Sequence, residues 1–185
     1  MKMNIKRRQH FSTVVFLFIL SFFLQSTVCA KKPTDWSSVK KSIKKDFPDV
    51  ENITTQELSD LLSTPDTIVP IIIDARESEE YAVSHLQNAL HADTKEKAVE
   101  VLKDVNKDTL IVVYCSVGYR SGSLVKQLID IGFNNIYNLK GSIFKWANEN
   151  RPVFKGDKQV KSVHPYDKEW GKLLKKEFWS FTPEK

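Results

Sequence analysis

A chain of 185 residues with 41% hydrophobic and 28% charged side chains holds enough apolar material for one compact domain plus a short appendage, which excludes a pair of large domains. Its formal charge of +5 is concentrated at one end, because residues 1–30 hold four basic and no acidic side chains and leave 24 Lys+Arg against 23 Asp+Glu in the rest. That near balance, with no basic stripe interleaved with aromatics, argues against nucleic acid as a ligand despite the basic pI.

In chain order, Lys2, Lys6, Arg7 and Arg8 precede an uncharged apolar run from Phe11 to Leu24 and a polar stretch ending Val28-Cys29-Ala30. Basic, apolar and small-residue regions in that order predict a cleaved signal peptide over residues 1–30, and hence a periplasmic or secreted protein. A retained membrane anchor is the rival, but the run is shorter than the roughly 20 residues that cross a bilayer. Cleavage after Ala30 discards Cys29 and leaves Cys115 alone, so no internal disulfide forms in the mature chain. An unpaired thiol in an oxidising compartment invites a chemical explanation. The bland alternative is an inert buried cysteine acting as a small apolar residue.

Residues 31–50 read as a lead-in segment with one short helix, and residues 51–152 as the domain proper. Glu57–Leu62 looks helical, Pro65 breaks the chain, and Ile68–Ile73 is a β-branched run ending in Asp74, the pattern of a strand buried on both faces. Glu77–Ser84 reads as a short helix and Ala89–His91 as a short strand. Lys95–Val105 reads as an amphipathic helix with Ala98, Val99 and Leu102 inward. A second strong strand, Leu110–Tyr114, runs straight into Cys115. The following helix carries Leu124, Val125, Leu128, Ile129 and Ile131, and Gly132 ends it. A strand at Asn135–Leu139 precedes Gly141 and a helix containing Phe144 and Trp146. Strands alternating with helices at this spacing predict an α/β fold with a mainly parallel sheet and helices on both faces. Ligands then bind at the carboxyl edge of the sheet, where Cys115 sits.

A cysteine between a buried strand and a helix start lies where backbone N–H groups lack intrahelical acceptors and the helix dipole is positive. Such a site favours the thiolate and lowers the thiol pKa. Gly118 permits a turn with φ > 0 that aims successive N–H groups at one point. Arg120 offers a planar fork suited to a two-oxygen face, against the plainer reading of a surface arginine. Ser121 either caps the helix or supports the loop, capping being the plainer role. No His/Cys grouping has metal-ligand spacing, so neither metal nor cofactor is expected.

Ile73-Asp-Ala-Arg-Glu-Ser-Glu-Glu-Tyr81 followed by His85-Leu86, Tyr114-Cys-Ser-Val-Gly-Tyr-Arg-Ser121 and Lys140-Gly-Ser-Ile-Phe-Lys-Trp146 together resemble the rhodanese family, over about half of the chain. The resemblance implies a five-stranded sheet and a cycle in which cysteine takes a sulfane sulfur from thiosulfate or a similar donor, holds it as a persulfide and passes it to a thiol or cyanide. Carried over by position, Cys115 is the nucleophile, and Ser116, Val117, Gly118, Tyr119 and Arg120 form the substrate-binding loop, with Arg120 on the anionic donor. Asp74 and Arg76 match the family's Asp-x-Arg block and are expected to brace the site as mutual partners. Ser84 stands where the family has glycine before His85, which is given a structural hydrogen bond; Ser142 likewise departs from a double glycine.

Two rivals stay open. Tyrosine-type phosphatases enclose a longer loop between Cys and Arg than residues 116–119, and need an acid that nothing near the loop nominates. A non-catalytic rhodanese-like module for partner binding or redox sensing is the other. Residues 153–185 are expected to fold back onto the domain through a helix capped by Asp167, with Trp170, Leu173, Leu174 and Phe178 on one face; His164 anchors a turn.

Overall fold

The computed structural model describes residues 35–65 and 68–184. The expected signal segment, residues 1–30, lies outside the described residues. Among the described residues, no helix is long and apolar enough to cross a membrane.

Five parallel strands form the sheet: β1 (Asn52–Ile53), β2 (Ile71–Asp74), β3 (Leu90–His91), β4 (Ile111–Tyr114) and β5 (Ile136–Leu139), in the order β1-β5-β4-β2-β3. Among the described residues six α-helices accompany them: α1 (Trp36–Asp46), α2 (Thr55–Ser63), α3 (Ser78–Val83), α4 (Lys95–Val101), α5 (Tyr119–Ile129) and α6 (Ser142–Asn148). The predicted α/β class with helices on both faces is the observed one, and the sheet is entirely parallel.

The continuous apolar runs arise because both faces of the sheet are covered. Side chains of a strand alternate, so Val112 and Tyr114 enter a core with Leu58, Leu139, Ile143 and Phe144, while Ile111, Val113 and Cys115 enter the other with Leu124, Val125 and Leu128. Each fully buried Val, Ile or Leu contributes about 1.5–3 kcal/mol. The same alternation turns Cys115 towards α5 rather than away from it.

Several boundaries differ from expectation, each for a local reason. β2 starts at Ile71, not Ile68, because Pro70 has no N–H for the ladder; the first rung is Ile71 N–H to the Leu110 carbonyl at 3.0 Å, and Ile68 and Val69 are exposed. α4 stops at Val101, and Val99 is exposed: Ala98 and Leu102 share a face at i,i+4, which turns Val99 aside. The lead-in helix α1 is capped by Asp35, which accepts from Ser38 N–H at 2.9 Å, and ends in Lys44 and Lys45 at its negative pole.

The tail departs most from expectation. An unforeseen hairpin, β6 (Val153–Lys155) and β7 (Lys158–Val160), follows α6. Beyond it stand two short 3₁₀ turns, Trp170–Leu173 and Lys176–Phe178, in place of one helix. Asp167 does accept from Glu169 and Trp170 N–H groups, each at 2.8 Å. The helix cannot continue because Asn148 of α6 donates to the Leu173 carbonyl and accepts from Lys175 N–H, each at 2.8 Å, taking groups the next turn would need. Gly171 also lets the Trp179 ring approach so closely that a Cβ there would lie 2.5 Å from it. Leu173, Leu174 and Phe178 are buried among Ile143 and Phe144.

Candidate active site

Cys115 closes β4, and residues 115–118 form a tight loop into α5. Gly118 adopts φ +109°, in the region that favours glycine, and a side chain there would also press on Ile43 of α1 at 3.2 Å. The loop carbonyls are fixed from the next crossover: Ile143 N–H donates to the Cys115 carbonyl and Phe144 N–H to that of Ser116, each at 3.1 Å. The Asn138 amide donates to the Gly118 carbonyl at 3.1 Å, and Ser142 Oγ accepts from Cys115 N–H at 3.1 Å. With its carbonyls held outward, the loop turns N–H groups inward.

The Cys115 thiol is 1% exposed. Burial alone would push it up, but it lies below the usual thiol range, because the Arg120 charge, the Ser121 hydroxyl and N–H and the Gly118 N–H together outweigh that penalty. Gly118 N–H points at Sγ from 3.1 Å. Ser121 Oγ stands 3.5 Å from Sγ and 2.7 Å from Asn138 Oδ1; with one proton to give, it donates to the closer amide oxygen while Cys115 is a thiol. Ser121 therefore supports the loop from within α5, whose N-cap is Gly118, and the expected capping role falls away.

Arg120 is not free. Its guanidinium donates from Nη1 to Glu80 Oε2 at 2.7 Å and from Nη2 to Glu80 Oε1 at 2.9 Å and Ser116 Oγ at 2.9 Å. Ser116 in turn donates to Glu80 Oε1 at 2.7 Å. Burial would raise the Glu80 carboxyl, but Arg120 first, then Arg76 and Ser116, hold it below the usual carboxylate range. In the sequence Glu80 reads as one more acidic residue of α3, beside Glu79, and its partner Arg120 lies forty residues away.

Asp74 and Arg76 form a separate, wholly buried pair: Arg76 Nη2 lies 2.6 Å from Asp74 Oδ2, with both side chains at 0% exposure. Arg76 also donates to the Ser84 carbonyl at 2.6 Å. Tyr114 Oη donates to Asp74 Oδ2 at 2.6 Å and accepts from Leu86 N–H at 3.0 Å, tying β2 and β4 to the segment after α3. His85 binds the Leu86 carbonyl through Nδ1 and accepts from Gly156 N–H through Nε2, joining the domain to the hairpin.

Above Cys115 lies a small cavity of about 130 Å³ bounded by Ser116, Val117, Tyr119, Arg120 and, from the tail, Tyr166 and Trp170. Tyr119 is steadied by Asp46, which accepts from its hydroxyl at 2.9 Å, and by the edge of Phe47. His164 Nδ1 accepts from Tyr166 N–H at 3.1 Å and anchors the turn. A larger cavity of about 680 Å³ runs beside α1 among Lys40, Lys44, Lys140 and Lys145, behind the loop and without Cys115. Among the described residues no group of His, Cys, Asp and Glu is placed to hold a metal ion.

The rhodanese-like domain profile matches residues 54–149, just over half of the chain. The tRNA uridine(34) hydroxylase of Photorhabdus laumondii is 33% identical over 107 residues, which are 55% of this chain but 29% of that protein; the chain thus spans less than a third of the curated relatives it matches. A rhodanese-like domain from an Anabaena protein superposes with TM-score 0.50 at 22% identity, over 56% of this chain and 77% of that one. Thiosulfate sulfurtransferase from Pseudomonas aeruginosa does so with TM-score 0.56 at 17% identity, over 75% of this chain and 26% of that one, a likeness of fold. On the profile match, the chain belongs to the rhodanese-like domain family.

Proposed function

We propose that this protein is a sulfurtransferase that moves a sulfane sulfur from thiosulfate or a similar donor to a thiol or cyanide through a persulfide on Cys115. The observation that carries this reading is the seat of the Cys115 Sγ, which faces Gly118 N–H at 3.1 Å and Ser121 Oγ at 3.5 Å at the start of α5. The Cys115 thiolate attacks the outer sulfur of the donor; an S–S bond forms to Sγ as the donor's own bond breaks, and sulfite or a thiolate leaves with the bonding pair. Charge is conserved, and the persulfide keeps one negative charge facing the loop N–H groups. An acceptor thiolate or cyanide then takes the outer sulfur and returns Cys115 as thiolate.

The leader-like residues 1–30 support export to the periplasm or outside the cell as part of the same reading. The hydroxylase likeness covers too little of those proteins to bring an RNA substrate with it. The test is thiocyanate formation from a sulfane donor and cyanide: the purified protein is expected to turn over and Cys115→Ala to be inactive. Equal rates from the two proteins would remove the catalytic reading and leave a binding or sensing module.

A further inference from the structure

The tail that follows the family domain reaches the mouth of the site through Tyr166 and Trp170. Tyr166, held at φ +64°, lays its ring 5.0 Å from the Arg120 guanidinium carbon, and Trp170 stands beside it over Cys115. A left-handed backbone is costly for an aromatic residue and persists where the surroundings enforce it. Here His164 Nδ1 accepts the Tyr166 N–H, and Asp167 caps the turn that carries Trp170. The chain is bent so that these rings face the site.

We propose that the C-terminal extension makes the site selective for organic persulfides, singly charged and carried on an apolar body, over inorganic dianions such as thiosulfate. The inference rests on the sulfur-transfer reading above. Three observations combine. The Arg120 fork is spent on Glu80, and its face is covered by Tyr166. Releasing Arg120 to a donor would leave the Glu80 carboxylate, 1% exposed, without its ion-pair partner and with Ser116 still donating to it. Glu77 also lies 3.9 Å from Arg120, so the Arg120 charge is shared between two carboxylates and draws a second negative charge on the donor less strongly. The remaining walls, Val117, Tyr119, Tyr166 and Trp170, suit a carbon body, which the thiosulfate sulfonate lacks. In the favoured step an organic persulfide anion gives its outer sulfur to the Cys115 thiolate and departs as the parent thiolate. Total charge is unchanged, and no oxidant is needed.

The experiment compares benzyl persulfide with thiosulfate as donors to the full-length protein, reading kcat/KM for Cys115 persulfide formation, in the wild type, Tyr166→Ala and Tyr166→Phe. The wild type is expected to favour benzyl persulfide by at least about tenfold. Tyr166→Ala should shrink that preference about tenfold, as expected for loss of an aromatic contact, and Tyr166→Phe should keep most of it. Both donors meet the same preparation, so partial unfolding cancels in the ratio. Equal or better use of thiosulfate by the wild type, or an unchanged ratio in Tyr166→Ala, overturns the inference. If neither donor loads Cys115, the sulfur-transfer reading itself fails, and this one with it.

Discussion

Two arginine–carboxylate pairs lie near the cysteine loop with the same chemistry and opposite surroundings. Asp74–Arg76 is sealed, at 0% exposure for both side chains, whereas in Glu80–Arg120 the carboxylate is 1% and the arginine 32% exposed. A sealed pair cannot trade partners, because breaking it strands a charge in a low-dielectric interior. It therefore fixes geometry: Tyr114 and the Ser84 carbonyl add hydrogen bonds to it and hold strand ends to the chain after α3. The half-exposed pair keeps its charge next to Sγ, where Arg120 is the strongest influence lowering the Cys115 thiol against burial. Identical side-chain types brace in one place and tune in the other, and water access separates the roles.

Substitutions that break each pair should separate them. Arg76→Met is expected to cost the most, about 3–5 kcal/mol, by leaving Asp74 buried and unpaired. Denaturant unfolding measures it, and a loss no larger than that of an exposed pair would erase the distinction. Arg120→Gln should cost less stability, because water reaches that side chain, and should act on chemistry. A lowered thiol is thiolate down to a lower pH, so alkylation of Cys115 rises with pH through a midpoint below that of an ordinary thiol. Removing Arg120 raises that midpoint. The rate near neutrality should then fall and recover in alkali. A pH profile that drops uniformly would instead indicate structural damage.

Tyr114→Phe comes next, at about 1–2 kcal/mol, since it removes a buried hydroxyl that both donates to Asp74 and accepts from Leu86. The Glu80 pair should show itself in acid. Its carboxyl is lowered in the fold, so its stabilisation is complete above the unfolded carboxylate pKa of about 4.3 and is lost as pH falls through the lower folded value. Glu80→Gln should flatten that part of the stability profile by about 1 kcal/mol or less, given the partial exposure of its partner.

Much of this arrangement was legible before the fold. The apolar runs before Asp74 and Cys115 predict buried parallel strands, and period two puts Cys115 on the same face as Ile111 and Val113, though only the fold shows that α5 covers it. Gly118 declared the turn. Glu80 was not legible, because nothing local distinguishes it from Glu79; only the crossover that brings α3 beside α5 gives it Arg120. Arg120, read as a donor contact, is spoken for by that same long-range pairing. The hairpin had a local signal in Gly156-Asp157, overlooked between short, charge-rich strands. The tail misled for another reason: its apolar spacing suits a helix, but Asn148 and the Gly171–Trp179 approach override propensity with tertiary contacts.

The central claim, that Cys115 is a reactive thiolate which carries sulfur, is tested most directly by mass spectrometry of the protein after brief exposure to benzyl persulfide and removal of excess donor. A gain of one sulfur on the Cys115 peptide, reversed by cyanide with release of thiocyanate, is the predicted result. An unmodified Cys115 across the range from mildly acidic to alkaline pH, in protein shown to be folded, would contradict it.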